Sequence, residues 1–227
     1  MIIDVVIPVL NEEESIGLVL AELPHDKIRN IIVCDNGSTD RTVEIALANG
    51  ATVVHQTIKG YGAACLKAMD YISDQIQSPD IVLYIDGDYS DYPSEAINIL
   101  EPLIIENYDL VIGSRVLGKS EKGSLTKVQN FGNWLSTKLI HLLYNYKFTD
   151  LGPFRAIRYQ AYKKLNMKDQ NFGWTVEMQV KAAKYKLLCK ELPVSYKKRL
   201  GKSKVSGTIV GSIMAGYKIL YTIFKLL

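Results

Sequence analysis

Apolar runs and helical patterns alternate through the first half of the chain. "IIDVVIP" reads as a buried strand, followed by a helix over Glu12 to Leu23. "RNIIVCD" is a second strand, and Thr39 to Ala48 a helix capped by Ser38 or Thr39. "ATVVHQ", "DIVLYID" and "YDLVIGS" are further strands, separated by helices over Tyr61 to Ile76 and Ser94 to Ile105. Short apolar strands joined by helices predict βαβ units and an α/β fold, with a mainly parallel sheet and helices on both faces.

The second half changes character. Ser124 to Tyr146 reads as a long helix with one apolar stripe, Leu125, Val128, Phe131, Leu135, Leu139 and Leu142, breaking near Gly132. Short helices are expected at Tyr159 to Leu165 and Thr175 to Lys184, then a strand "KLLCKELPVSY". Thr208 to Leu226 reads as an amphipathic helix whose polar positions, Thr208, Gly211, Ser212, Lys218, Thr222 and Lys225, form a narrow stripe. Such a helix packs on the domain or lies flat in a headgroup layer. The division expected is a domain over 1–206 and a C-terminal amphipathic helix over 207–227.

Composition adds little: 227 residues, 48% hydrophobic, 22% charged and a net charge of +3 describe a globular chain and imply no nucleic-acid partner. Cys34, Cys65 and Cys189 lack metal or disulfide spacing and fit a reducing, cytoplasmic setting. No signal peptide and no run of ~20 apolar residues is read. Charge placement is more telling. "YKKRLGKSK", from Tyr196, carries Lys197, Lys198, Arg199, Lys202 and Lys204 and no acid; it is either a solvated face or a contact for phosphate or anionic lipid.

In open parallel sheets, ligands bind beyond the carboxyl ends of the strands. The five strands deliver Asn11, Glu12 and Glu13; Asp35, Asn36, Gly37 and Asp40; Lys59 and Gly60; Asp86, Asp88 and Asp91; Ser114 and Arg115. Acids alone would repel an anion. With Lys59 and Arg115 beside them they suit a metal-bridged diphosphate, since Mg²⁺ or Mn²⁺ takes one or two carboxylates plus phosphate oxygens. "IVLYIDGDYSDYP" is the centre of this reading: an Asp-Gly-Asp spacing at a strand end, one carboxylate for the metal and one for the sugar or ribose. The three histidines, His25, His55 and His141, read as structural.

Six segments in order, "IPVLNEEESI", "CDNGSTDRT", "KGYGAACLKAM", "YIDGDYSDYP", "VIGSR" and "DLGPFRAIR", resemble the inverting glycosyltransferases of family 2, with their GT-A (Rossmann-like) fold. The branch most similar makes dolichol-phosphate mannose and other polyprenyl-phosphate sugars. The resemblance spans residues 2 to about 206. It implies that Pro8, Leu10, Asn11, Glu12 and Asp35 line the base and ribose pocket, with Lys59 near the nucleotide. Asp86 and Asp88 match the metal motif. Arg115 and Arg155 would meet donor or acceptor phosphates, Trp174 and Glu177 would face the sugar, and Arg199, Lys202 and Lys204 would form a basic loop over the donor. Ser90 stands where relatives often carry a metal-binding glutamine, and the long C-terminal membrane-spanning extensions of relatives are not seen.

The implied reaction is inverting, Mg²⁺- or Mn²⁺-dependent transfer of a hexose from a GDP- or UDP-sugar to a polyprenyl phosphate, by a peripheral enzyme at the cytoplasmic face of a membrane. A phosphate acceptor is already anionic and needs no strong base. A glycan or soluble hydroxyl acceptor would need one, with Asp150 or Glu177 as candidates. Binding of a nucleotide sugar without turnover is the reading of another class.

Overall fold

The computed structural model describes residues 1–201 and 209–227, with side chains left out at 209, 210, 212 and 213. Seven strands, β1 (Ile3–Val9), β2 (Asn30–Asp35), β3 (Thr52–His55), β4 (Ile81–Tyr84), β5 (Leu110–Ser120), β6 (Arg155–Arg158) and β7 (Cys189–Tyr196), form one sheet in the order β3-β2-β1-β4-β6-β5-β7. All neighbours pair in parallel except β6, which is antiparallel to both β4 and β5. Six strands, β1 to β5 and β7, and their order along the chain agree with the apolar pattern. β6 lies in the segment "DLGPFRAIR", where four residues with an arginine at each end carry no strand signal.

Side-chain alternation distributes the core between the two faces of the sheet. In β1, Val5, Ile7 and Val9 pack with α1 (Ile16–Glu22), α2 (Thr42–Ala48) and α4 (Ala96–Ile105). Val6 points the other way, into the cluster with α3 (Tyr61–Ser73), α5 (Lys127–Tyr144), α6 (Tyr159–Leu165), α7 (Trp174–Lys184) and α8 (Ile209–Lys225). Asp4 also falls on the second face, fully buried, and Arg29 closes on it at 2.5 Å. Neither Ser38 nor Thr39 caps α2: its N-cap residue, Arg41, makes no side-chain cap bond, and the Asp40 carboxylate accepts from Thr42 N at 3.0 Å.

Two helices differ from the expected pattern. α5 begins at a capping box on Thr126 and runs without a break through Gly132. Its buried face is Ser136, Thr137 and Ile140, whereas Val128, Phe131 and Leu142 of the expected stripe are exposed. On α8 two residues of the polar stripe, Lys218 and Thr222, turn inward, whereas Lys225 is exposed. Lys218 pairs with Asp169 at 2.9 Å, and Thr222 is buried, its hydroxyl donating to Lys218 O. Met214, Tyr217, Tyr221 and Phe224 take the exposed side. Among the described residues no helix is long and apolar enough to cross a membrane.

Candidate active site

The loops after β1 and β2 are stitched together. Asn11, with φ 54°, accepts from Thr39 N at 2.8 Å and donates its own N–H to Ser38 Oγ at 2.9 Å. Glu12 N donates to Thr42 Oγ1 at 2.7 Å, leaving the Glu12 carboxylate on the site side. Asp35, at the end of β2, is buried and accepts from Ser38 N at 2.9 Å, with Gly37 N and His55 Nδ1 each at 3.2 Å. Burial pushes its pKa up, but these bonds outweigh it and hold the carboxyl below its usual range. Lys59 Nζ reaches Asn36 O at 2.7 Å, and Asn36 Oδ1 accepts from Gly60 N at 2.7 Å. Pro8 and Leu10 are half-buried beside them.

The strand-four acids form the floor. Gly87 has no room for a side chain, since a Cβ there would meet Val9 Cγ1 at 2.6 Å; its carbonyl accepts from Ser15 Oγ at 2.8 Å. Asp88 is buried. Its Oδ1 accepts from Ser90 N at 2.9 Å and Ser90 Oγ at 2.5 Å. Its Oδ2 lies 3.2 Å from Arg199 Nη1. Asp86 Oδ1 and both carboxylate oxygens of Asp91 are shielded and have no hydrogen-bond partner. Burial, then the charge of Asp88, raises Asp86 to about 7. Burial, then Asp86, pushes Asp91 well above its ordinary value. These carboxylates do not form a solvated turn.

Such a set fits a hard divalent cation: partnerless carboxylate oxygens, oxygen donors alone, and a guanidinium standing against Asp88. Among the described residues no three acidic, histidine or cysteine side chains make a ready cage. Asp86 and Asp88 would supply two carboxylates to such a cation, and phosphate oxygens and water would supply the other ligands.

Arg115 rises from β5 and is gripped by Asp150, with Nε to Oδ2 at 2.8 Å and Nη2 to Oδ1 at 2.7 Å. Burial would lower its pKa, but Asp150 outweighs that and drives it higher. The guanidinium lies 5.1 Å from the Tyr196 ring centroid. Behind it Glu191, which the sequence reading missed, accepts from Thr149 N at 2.8 Å and Asp150 N at 3.0 Å. A cleft of about 310 Å³ opens beside Arg115, lined by Val116, Ser120, Gly123, Leu125 and Asn130 among others.

Several expected roles do not match the positions found. Arg155 is fully buried, and its guanidinium donates to Gly152 O, to Leu151 O at 3.2 Å, to Thr175 O at 3.0 Å and to Gln179 Oε1 at 3.2 Å. Burial lowers its pKa to about 10. With its donors committed to the chain, it braces the loop behind Asp150 rather than meeting a phosphate. Glu177 accepts from Lys168 N at 3.0 Å and Asp169 N at 2.7 Å and pairs with Lys181 at 2.6 Å, so it neither faces a sugar nor stands free as a base. Trp174 is fully buried, 4.7 Å from the Tyr84 ring centroid and 6.0 Å from that of Tyr61. Asp150 has both oxygens on Arg115, which suits positioning rather than proton abstraction. Lys202, Lys204 and Thr208 lie outside the described residues. The structure thus brings Glu12, Asp86, Asp88 and Arg199 together, with Arg115 and Asp150 joined beside the Tyr196 ring. Missed were Tyr196 and Glu191; a polar residue inside the apolar strand "CKELPVSY" was the one signal for the last.

The profile of Glycosyl transferase family 2 matches residues 4–166. The dolichyl-phosphate hexose transferase of Haloferax volcanii is 31% identical over 206 residues, 88% of this chain and 85% of that protein. The UDP-N-acetylglucosamine–dolichyl-phosphate N-acetylglucosaminyltransferase of Methanococcus voltae is 27% identical over 248 residues, 99% of this chain and 96% of that one. Glucosyl-3-phosphoglycerate synthase of Mycobacterium tuberculosis, solved with Mn²⁺, UDP and phosphoglyceric acid, superposes with a TM-score of 0.78 at 21% identity, covering 99% of this chain and 78% of that one. The likeness to that structure places this chain's architecture with the GT-A glycosyltransferases.

Proposed function

Because the chain belongs to Glycosyl transferase family 2, and is therefore a glycosyltransferase, we propose that it transfers a hexose from GDP- or UDP-hexose to a polyprenyl phosphate, with inversion and with Mg²⁺ or Mn²⁺. The observation that carries this reading is the shielded Asp86–Asp88 pair, with a partnerless oxygen on Asp86, flanked by the guanidiniums of Arg115 and Arg199. Asp86 and Asp88 would hold the metal, which when bound offsets negative charge on the leaving diphosphate. Glu12 and Asp35, with Asn36 and the Lys59 that reaches it, would form the rim that takes base and ribose. Arg199, with Lys202 and Lys204 of the same basic segment, would meet the diphosphate.

On the acceptor side, an anionic phosphate oxygen forms the new bond to the anomeric carbon as the bond to the nucleoside diphosphate breaks. No proton needs to move. Arg115, aimed by Asp150 beside the open cleft, would bind and orient that phosphate. A hydroxyl acceptor needs a base, and Asp150 and Glu177 are both committed to partners; this favours the phosphate acceptor.

We place the protein peripherally at the cytoplasmic side of a membrane; the exposed faces of α5 and α8 support the membrane contact. Phe131 and Trp134 on α5, and Met214, Tyr217, Tyr221 and Phe224 on α8, are the aromatic and apolar residues an interfacial layer takes up. We treat residues 1–206 as the catalytic unit and 207–227 as its membrane-facing accessory.

A thermal-shift panel of nucleotide sugars with and without Mn²⁺ tests the donor. A ligand that binds the folded state raises its apparent stability. One GDP- or UDP-hexose should raise the midpoint only with Mn²⁺; no shift with any of them contradicts the reading.

A further inference from the structure

Arg199 links two carboxylates that arrive on different strands. Nη2 lies 2.7 Å from Glu12 Oε1, beyond β1, and Nη1 lies 3.2 Å from Asp88 Oδ2, beyond β4. Asp88 Oδ1 is already held by Ser90, so Oδ2 is the oxygen that Asp88 can offer to a cation. The guanidinium has that oxygen.

This placement is built into the backbone. The segment after β7 runs beside the acidic turn: Asp91 and Tyr196 form an antiparallel bridge, Lys197 N donates to Ser90 O at 2.9 Å, and Leu200 N donates to Asp88 O at 3.0 Å. Lys197 adds an ammonium 3.1 Å from the Tyr89 ring centroid and 4.3 Å from that of Tyr92. The turn and the arginine are therefore clasped together. Arg199 also keeps a donor in reserve, since its shielded Nε has no partner.

We propose that Arg199 makes cation capture depend on the nucleotide diphosphate: its guanidinium bridges Glu12 and Asp88 until a diphosphate draws it away and a divalent cation replaces it on Asp88. The proposal rests on the metal-dependent reading of the site given above. A divalent cation alone would have to approach Asp88 beside a positive guanidinium. A diphosphate supplies the charge that both cations need. Guanidinium groups grip phosphate oxygens with paired N–H donors, and the unpartnered Nε is one of these. Coupling of this kind is reciprocal in binding: the diphosphate tightens the cation by the factor by which the cation tightens the diphosphate.

The test is Mn²⁺ binding to the metal-free full chain, followed by electron paramagnetic resonance of free Mn²⁺, alone and with UDP or GDP. In the wild type, Mn²⁺ alone should bind weakly and tighten with one of the two nucleotides. Arg199→Gln should bind Mn²⁺ alone more tightly by about tenfold, within the usual range of such couplings, and the gain from nucleotide should shrink by the same factor. Unchanged or weaker Mn²⁺ binding in Arg199→Gln overturns the proposal. Should that variant not fold, Arg199→Lys carries the test, because a single ammonium does not bridge both carboxylates; it too should bind Mn²⁺ more tightly, and equality with wild type overturns the proposal. If Mn²⁺ binds the wild type but neither nucleotide tightens it, the dependence assigned to Arg199 is overturned; if no Mn²⁺ binds at all, with or without nucleotide, the metal-dependent reading of the site fails.

Discussion

Asp150 holds Arg115 through both carboxylate oxygens, at 2.8 and 2.7 Å, and also accepts from the Arg115 backbone N–H at 2.8 Å. One acid thus fixes both the side chain and the strand end that carries it. Asp150→Asn removes the charge and half of the fork. We expect kcat/KM to fall by about 10²-fold, as when a positioned donor to developing or bound charge is lost, with Mn²⁺-dependent nucleotide binding retained. Loss of nucleotide binding to the same extent would place Arg115 on the donor.

Arg155→Met should act on stability. Four acceptors would lose a buried charged donor, and the expected destabilisation is roughly 3 kcal/mol. Chemical denaturation measures it directly. At a temperature where the variant is folded, donor and acceptor affinities should change little. A selective loss of acceptor affinity would restore the phosphate-binding role that the motif suggested.

The metal-free protein should lose stability as pH rises from about 4 to about 7 through Asp86. Its carboxyl is raised from an ordinary value near 3.9 to about 7 by burial and by Asp88. The folded state therefore binds that proton more tightly than the unfolded chain, and the advantage disappears as the group ionises. Asp86→Asn has no such proton. Without metal, its melting temperature at pH 8 should exceed that of the wild type by roughly 5 °C, and the gap should close near pH 4. A gap independent of pH would contradict the assignment.

Liposome flotation tests the reversed face of α8. Lys218 is tied to Asp169, so the aromatic residues, rather than the lysines, should set membrane affinity. Tyr217→Ser with Phe224→Ser should reduce flotation about tenfold or more, each large apolar side chain contributing on the order of 1.5 kcal/mol or above when buried. Lys225→Gln should have a smaller, salt-sensitive effect. Equal flotation of wild type and double variant would make α8 an ordinary packing helix.

The apolar runs were enough to read β1 to β5, the helices between them and β7, because a strand with buried faces carries a short apolar run. β6 was not legible: Arg155 and Arg158 bracket just two apolar residues, and its pairing depends on β4 and β5 lying close in space. The faces of α5 and α8 could not be read for a related reason. Their patterns showed two unlike sides, but the partner that turns Lys218 inward, Asp169, sits in another element. The edge of the candidate site was legible where strand ends met charged residues, as at Asp35, Asp86, Asp88 and Arg115. Arg155, Trp174 and Glu177 carried the motif's types but are held by carbonyls, aromatic rings and backbone N–H groups that no local pattern reveals.

The most direct measurement is transfer itself: radiolabelled UDP- and GDP-hexoses incubated with the protein, a polyprenyl phosphate and Mn²⁺, and the lipid phase counted. The expected result is label in the lipid phase from one donor, abolished by chelation and lowered at least about 10³-fold in Asp88→Asn, through loss of a charged metal ligand. Transfer that persists undiminished in Asp88→Asn, or proceeds equally well after chelation, would contradict metal-dependent hexose transfer at this site.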